Sequence, residues 1–297
     1  MTLDRTYVAA ALAAAGLIAL MSGAGAGEGP LRATHAKPDY DWSGFYVGAA
    51  AGARRTDSNL SIRAIDEFYM TGAGQFIQHD FPGCTLNTPP CASGASFDTT
   101  AFRMASYAGY NWEVGSRWVV GLEADWGWAN NAKTQNGFAF VYGPGVAIAP
   151  DSTYTVKSLW DASARVRLGY RLAPAFLVYA TGGAAWMKTD VSSFCGAMSC
   201  DPIAFSSGVV SQSRLWSGWT AGGGVETSLG AGWLARAEYR YADFGSASFT
   251  DIHPCNLSPC SVAPSTLTSV NVSYDVSMKT HTAMFGLAYK FGGSAAD

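Results

Sequence analysis

Charged side chains at alternate positions are the residues of this chain best suited to chemistry. Glu123 and Asp125 stand between apolar residues in the segment WVVGLEADWGW, residues 118–128, and Arg165 and Arg167 alternate with apolar residues in the same way. Carboxylates and guanidiniums at this spacing could form a path for protons or ions, or they could pair and fill an interior in place of a hydrophobic core. Because alternation of period two places them on one face of a β-strand, strands must position them.

The segment WVVGLEADWGW also predicts where such a strand lies. Its other face is apolar throughout, and Trp118 and Trp128 stand at its two ends. At about 3.3 Å per residue and a tilt near 40°, the distance between the tryptophans spans roughly 20 to 25 Å vertically, close to the apolar band of an outer-membrane barrel. Tryptophan at both ends of such a span is typical of the two aromatic girdles of a bilayer.

The composition suits short strands rather than helices. The 297 residues include 34 Gly, 15 Phe, 14 Tyr and 10 Trp, and only 14% of them are charged. For a soluble protein, these contents of aromatic residues and glycine are high, and the content of charged residues is low. The formal net charge is -3, and no aromatic-interleaved basic stripe occurs, so the sequence predicts no nucleic-acid partner.

The N-terminus has the order of a secretory signal. Arg5 precedes an apolar stretch at residues 8–21, and small residues at 24–26 predict cleavage after Ala26,. The alternative, a membrane-spanning helix, is disfavoured because the run is shorter than the roughly 20 residues that a span needs. We therefore expect a signal peptide at 1–26, a linker at 27–40, a barrel at 41–291 and a C-terminal extension at 292–297.

The same alternation recurs seven more times, which gives eight strands. Short turns are predicted at 113–117, 171–175 and 230–232, and long loops at 55–96, 129–153, 189–213 and 245–270. Short turns on one side and long loops on the other are the bacterial up-and-down pattern, and an even strand number leaves no unpaired edge in lipid. The predicted fold is all-β, an eight-stranded antiparallel up-and-down transmembrane barrel with four long extracellular loops.

The volume of the lumen decides whether the apolar face of the barrel points inward or outward. A soluble lipocalin-like barrel would hold its apolar face inside, but an eight-stranded lumen is just wide enough for side chains and could not take the many tryptophans of this face. The apolar face is therefore predicted to meet lipid. The membrane-interface aromatic residues are expected to be Trp112, Trp118, Trp126, Trp128, Trp233 and Phe291.

The charged face is then predicted to fill the lumen. Its two signs are nearly balanced, as buried charges must be paired. A salt-bridge plug is favoured over an ion path because eight strands leave no continuous aqueous channel. The predicted lumen charge network consists of Arg103, Glu123, Asp125, Asp161, Arg165, Arg167, Glu226, Arg236, Glu238, Arg240 and Lys290.

Residues 272–278 show the opposite arrangement, with apolar residues at inward positions and polar ones outside. Val272, Tyr274, Val276 and Met278 take the inward parity, and Phe97 and Asp98 indicate the same inversion. This pattern predicts that the barrel wall continues beyond the lipid, where its outer face meets water and its inner face packs a small core.

The six cysteines lie as close pairs in three of the long loops. Pairs within an exported loop match an oxidising exterior, where a local bridge limits the freedom of the loop. A metal site would need more ligands than each pair provides, so no metal and no cofactor is predicted. The disulfide candidates are Cys84 with Cys91, Cys195 with Cys200, and Cys255 with Cys260.

Taken in order, the strand motifs resemble a known family. DWSGFYVGAAAG (41–52), YAGYNWEVGSRWVVGLEADW (107–126), ARVRLGY (164–170), YATGGAAW (179–186), GWTAGGGVE (218–226), AEYRYADFG (237–245) and MFGLAYKF (284–291) are similar to the small outer-membrane β-barrel proteins of alphaproteobacteria, the surface-antigen and opacity-protein-like family. The resemblance implies an eight-stranded barrel exposed at the surface of the outer membrane. For some relatives it implies haemin binding or host contact. The family ends on an aromatic residue that the barrel-insertion machinery reads, whereas here Phe291 is followed by GGSAAD.

Three functions are compatible with these features. We expect an integral outer-membrane protein with a structural and surface-interaction role; the alternatives are a haem- or small-ligand-binding surface receptor and a lipid-modifying enzyme with His281 at the rim. No GxSxG elbow or P-loop occurs, and His281 has no H-x-S neighbour, so the chain is predicted not to be an enzyme. The expected partners are outer-membrane lipid and lipopolysaccharide, the barrel-insertion machinery, and a host or small-molecule ligand at the loops.

Overall fold

The fold is built almost entirely from β-strands. The computed structural model describes residues 40–71, 73–80, 94–142, 145–195, 208–254, 261–262 and 265–291. Within these ranges no helix is long and apolar enough to cross a membrane. The predicted signal peptide, the linker up to residue 39 and the extension at 292–297 lie outside the described residues, so these boundaries stay predictions.

Eight long strands and three short ones follow one another along the chain. The long strands are β1 (Gly44–Thr71), β4 (Thr99–Val114), β5 (Trp118–Tyr142), β6 (Gly145–Ala173), β7 (Phe176–Cys195), β8 (Gly208–Gly230), β9 (Trp233–Pro254) and β11 (Ser265–Lys290). The short strands are β2 (Phe76–Asp80), β3 (Gly94–Ser96) and β10 (Ser261–Val262).

The long strands form a closed antiparallel ring. Each pairs with the next long strand along the chain, and β11 pairs back onto β1 from Tyr46↔Lys290 onward. Closure leaves no free sheet edge at this level of the barrel. The predicted eight-stranded up-and-down antiparallel barrel is confirmed.

One end of the barrel, called here the turn side, is closed by tight connections. Three turns join β4 to β5, β6 to β7, and β8 to β9, at the predicted positions. In the last of them Gly230 and Gly232 have φ angles of 90° and 82°, a left-handed conformation that glycine adopts without steric cost. In bacterial outer-membrane barrels the short turns face the periplasm.

The expected extent of the four long loops is wrong. Strand β1 runs on to Thr71, and β5 and β6 continue as a hairpin to the pair Tyr142↔Gly145, so most of the residues assigned to loops at 55–96 and 129–153 are paired strand. The same holds for the loops at 189–213 and 245–270, where β7, β8, β9 and β11 continue. Beyond the lipid the polarity of the two faces inverts, so the apolar-out alternation stops although the strands continue.

These continued strand ends form what we call the outer extension. There the described ring opens in two places, because β5 pairs with β4 only up to Met104↔Trp128, and β8 pairs with β9 only up to Trp219↔Asp243. The extension thus consists of two sheets, one made of the outer parts of β5, β6, β7 and β8, the other of β9, β11 and β1 with its short neighbours.

Candidate functional site: the barrel interior and the outer extension

Two belts of exposed aromatic side chains surround the barrel. All six predicted interface residues, Trp112, Trp118, Trp126, Trp128, Trp233 and Phe291, are exposed on its outside. On the turn side Trp118 contacts Tyr170 with ring centroids 5.0 Å apart, and at the other belt Trp126 and Trp128 lie 4.2 Å apart. Between the belts the outer face is mostly small and aliphatic, with exposed residues such as Leu122, Val166 and Leu168, and this is the surface that lipid would cover.

All eleven predicted lumen residues are buried. Arg103, Glu123, Asp125, Asp161, Arg165, Arg167, Glu226, Arg236, Glu238, Arg240 and Lys290 are each at most 8% exposed. They come from β4, β5, β6, β8, β9 and β11, and because period-two alternation points them inward, their charged ends meet on the barrel axis. Ten of them form one layered set of ion pairs, and Lys290 stands apart.

Glu123 lies at the centre of the middle layer. Its carboxylate accepts hydrogen bonds from Arg165 Nη2 and Arg236 Nη1, both at 2.5 Å, and from the Tyr46 hydroxyl at 2.8 Å. Arg165 also donates to Glu238 at 2.8 Å. These are charge-assisted hydrogen bonds between fully desolvated groups, so the layer is rigid and its stability depends strongly on each partner.

The outer layer is built around two aspartates. Asp125 pairs with Arg103 and Arg240, each at 2.8 Å, and Asp161 pairs with Arg103 at 2.5 Å and with Arg54 at 2.6 Å. Arg103 therefore bridges the two carboxylates. It has room to do so because Gly127 faces it: a Cβ there would stand only 2.6 Å from Arg103 Nη2.

The turn-side layer contains one ion pair and stacked aromatic rings. Arg167 donates to Glu226 at 2.8 Å, and its guanidinium lies 3.8 Å above the ring of Tyr179. Lys290 is separate from the network. Its ammonium donates to the backbone carbonyl of Ser43 at 2.9 Å and lies 5.0 Å from the ring of Tyr40.

Sequence reasoning missed several members of this interior. Arg54 is 1% exposed and joins the outer layer, although it is absent from the predicted lumen charge network. Tyr46 and Tyr179 carry the hydroxyls that bond Glu123 and Glu238. Each has the inward parity of its strand, so parity alone was the signal that could have found them.

An apolar plug, distinct from the predicted salt-bridge plug, closes the turn side, and the sequence did not predict it. Trp42, just before β1, is completely buried and packs with Val119, Leu177 and Leu234 in an apolar cluster below the ion pairs. Its backbone N–H donates to Glu113 at 3.1 Å, and its indole N–H donates to the carbonyl of Pro174 at 3.3 Å. The chain therefore crosses the barrel mouth before it enters the wall.

The outer extension has an apolar interior. Tyr274, Val276 and Met278 are fully buried, as the inverted pattern at 272–278 predicts, and Phe97 is buried with them. The two sheets meet there, since the rings of Tyr154 on β6 and Tyr274 on β11 lie 5.5 Å apart. A second contact joins Trp216 on β8 with Phe249 on β9 at 6.1 Å.

A buried carboxylate lies at the edge of this interior. Asp251 accepts hydrogen bonds from the Tyr274 hydroxyl at 3.2 Å and from Gln212 Nε2 at 2.7 Å. Gln212 belongs to β8 and Asp251 to β9, so the bond crosses the place where these two strands no longer pair. Burial and, after it, the charge of Asp251 raise the pKa of Tyr274 well above its ordinary value,.

The cysteine predictions fall almost wholly outside the described residues. Cys195 is the last residue of β7, and Cys84, Cys91, Cys200, Cys255 and Cys260 lie in ranges that the structure does not describe. The disulfide pairs therefore stay predictions. In the described part of the chain, no group of three or more His, Cys, Asp or Glu side chains could hold a metal ion.

Comparison with known proteins agrees with this architecture. The 31 kDa outer-membrane immunogenic protein of Brucella melitensis is 27% identical over 260 residues, which cover 85% of each chain. The 22 kDa outer membrane protein of Rhizobium leguminosarum is 28% identical over 61% of this chain and 65% of its own. Among solved structures, OprG from Pseudomonas aeruginosa is similar over 84% of this chain and 97% of its own, with 12% identity and a TM-score of 0.41.

The family itself is shown by a match over nearly the whole chain. A sequence model described as "Outer membrane protein beta-barrel domain" matches residues 10–291, a range that includes every strand of the barrel. The protein therefore belongs to the outer-membrane protein β-barrel family.

Proposed function

We propose that this protein is a non-conducting outer-membrane barrel that serves as a rigid base for a surface-exposed outer extension. The observation that carries the proposal is the filled lumen. Three layers of ion pairs occupy the barrel axis, an apolar cluster around Trp42 lies below them, and the core around Tyr274 lies above them. An eight-stranded barrel leaves no continuous aqueous channel beside such a filling.

The outer extension supplies the surface for contacts. Its inner face is apolar, whereas outward positions such as Asn59, Ser248 and Thr250 carry exposed polar side chains. A polar outer face suits water rather than lipid, which places these residues above the bilayer. The Brucella relatives are named immunogenic proteins, and we infer a comparable surface exposure for this chain.

We propose a non-enzymatic role. The rim residue His281 has its Nδ1 2.7 Å from the Tyr239 hydroxyl and its Nε2 3.6 Å from Asp57. These contacts hold the imidazole against a phenol and a carboxylate at the outer aromatic belt, which suits an interface residue. A turnover assay on lipid A and phospholipid, with His281→Ala as the control, would contradict this role if it detected hydrolysis or acyl transfer that the variant lost.

The remaining partners are inferred from position. The exposed belts would contact lipid, and the partly exposed Arg55 and the exposed Lys279 stand just beyond the outer belt, where phosphates of lipopolysaccharide would lie. Phe291, near the end of the last strand, is our candidate for the signal read by the insertion machinery. A haem or host ligand at the loops also stays a proposal, which ligand difference spectra on the refolded barrel would test.

Conductance measurements test the filled lumen. Purified protein, first shown to be folded by heat-modifiable gel mobility, is inserted into planar bilayers. We expect no stable conductance for the native chain, and none for Trp42→Ala, because the ion pairs remain when the turn-side plug is weakened. Reproducible large single-channel steps from the native protein would refute the proposal.

Topology is tested by labelling in intact cells. In a background with the native cysteines replaced by serine, Thr250→Cys on the outer extension should react with a membrane-impermeant maleimide. Ser116→Cys, in the exposed turn between β4 and β5, is the matched control and should react only after the outer membrane is opened. Labelling of Ser116→Cys alone in intact cells would show the reverse orientation.

A further inference from the structure

The charges of the lumen balance in two layers and not in the third. Arg165 and Arg236 face Glu123 and Glu238 in the middle layer, and one guanidinium faces one carboxylate on the turn side. The outer layer instead holds three guanidiniums around two aspartates. Its members are Arg54, Arg103, Arg240, Asp125 and Asp161. One positive charge is therefore in excess at this level.

This excess is buried. Arg54 and Arg103 are each only 1% exposed and Arg240 is 7% exposed, so water screens none of them well. A charge taken out of water without a counter-charge is strongly destabilising, and proteins therefore pair such groups. A compensating negative charge is expected close to the outer layer.

Among the described carboxylates, only Asp125 and Asp161 form ion pairs with Arg54, Arg103 or Arg240. Asp57 and Asp98 pair with Arg55, which points to the other face of β1. Asp251 is buried, but it lies opposite Val272 of β11, whereas Arg54 lies opposite Thr282. Ten residues of strand, or about 33 Å, separate these two positions, so Asp251 is too distant to neutralise the outer layer.

Arg54 also has an unmet hydrogen-bond donor. Its Nη1 donates to Asp161 at 2.6 Å and its Nη2 donates to the carbonyl of Ala129 at 2.9 Å. These bonds fix the plane of the guanidinium, and its buried Nε–H then faces no acceptor among the residues that the structure describes. The Nε–H groups of Arg165 and Arg167 share this feature, but they belong to layers whose charges balance. A fixed donor in a region of excess positive charge is the arrangement that binds an anion.

We propose that one small monovalent anion, of the halide class, binds at Arg54 in the outer layer of the lumen. One negative charge neutralises the excess of one, and a monatomic ion accepts the Nε–H without needing the volume of a sulfate or phosphate, which the narrow lumen lacks. The core of the outer extension covers the site, so the ion is a structural component of the barrel and does not pass through it. The site is independent of the surface role proposed above.

The test compares the unfolding midpoint of refolded protein in chloride with that in gluconate at constant ionic strength. A ligand that binds only the folded state raises the midpoint with increasing concentration. We expect chloride and bromide to raise it and gluconate to leave it unchanged. Arg54→Gln should abolish the halide effect, and Arg55→Gln, the neighbouring residue on the outer face, should keep it.

Several results would overturn the proposal. One is an unfolding midpoint of the native protein that does not depend on halide. Another is a full halide effect in Arg54→Gln, and a third is the loss of the halide effect in Arg55→Gln. If Arg54→Gln does not fold, crystals of the native protein grown in bromide decide by anomalous scattering: a bromide peak beside Arg54 supports the site, and peaks confined to the outer surface refute it. Single-channel steps would contradict the non-conducting function but leave the anion site standing.

Discussion

The replacement Glu123→Gln tests whether the middle layer holds the barrel together. The side chain of Glu123 is completely buried and its carboxylate receives three hydrogen bonds, from Arg165, Arg236 and Tyr46. Glutamine keeps the size of the side chain and removes the charge. Arg165 retains Glu238 as a partner at 2.8 Å, whereas Arg236 loses its closest carboxylate and keeps mainly the ring of Tyr107, 3.4 Å from its guanidinium.

The expected loss of stability follows from these contacts. Leaving one member of a buried ion pair without its partner costs about 3 to 5 kcal/mol, and the amide oxygen of glutamine still accepts one bond, which favours the lower end. We expect the free energy of unfolding to fall by about 3 kcal/mol, measured by urea unfolding in lipid vesicles with tryptophan fluorescence. The exposed pair of Asp98 with Arg55 provides the control, and Asp98→Asn should change the same quantity by less than about 1 kcal/mol.

A double variant separates the charge from the shape of the side chain. If the unpaired guanidinium causes the loss, Glu123→Gln combined with Arg236→Met should recover much of the stability, because the buried charge is removed and a thioether packs well against Tyr107. A Glu123→Gln variant as stable as the native protein would refute the reasoning. The reasoning would also be refuted if the loss in free energy of unfolding of the double variant equalled the sum of the losses of the two single variants.

Three further predictions concern the plug, the outer extension and the cysteines. Trp42→Ala should lower the free energy of unfolding by about 3 to 5 kcal/mol, and Trp233→Ala, which removes an exposed side chain and is measured in the same way, should lower it much less. Because the pKa of Tyr274 is raised in the folded state, its contribution to stability is fully present below about pH 10, where the unfolded residue ionises, and declines as pH rises further. The difference in free energy of unfolding between the native protein and Tyr274→Phe should therefore shrink above about pH 10. A difference that does not depend on pH would contradict this. Non-reducing peptide mapping should find disulfides within each loop, and a bridge between loops would refute the local scheme for Cys84, Cys91, Cys195, Cys200, Cys255 and Cys260.

Much of the transmembrane part could be predicted because its signal is local. Each residue between the aromatic belts faces either lipid or the lumen, so Trp126 and Asp125 differ in polarity for a reason that operates one strand at a time. The prediction failed for the extent of the strands. Beyond the belts the same parity faces water outside and an apolar core inside, and the loops expected there are largely paired strand.

By itself, the sequence determined the eight strands of the barrel wall, their two faces and the membrane in which they lie. Only the tertiary structure decided which charges meet: Arg54 reaches Asp161 across the lumen, and Trp42 reaches Pro174 across the barrel mouth. These contacts depend on how far each strand is staggered against the next when the sheet closes, and that stagger is a property of the whole ring. Alternation within a strand indicates which way a side chain points, but not which residue it contacts.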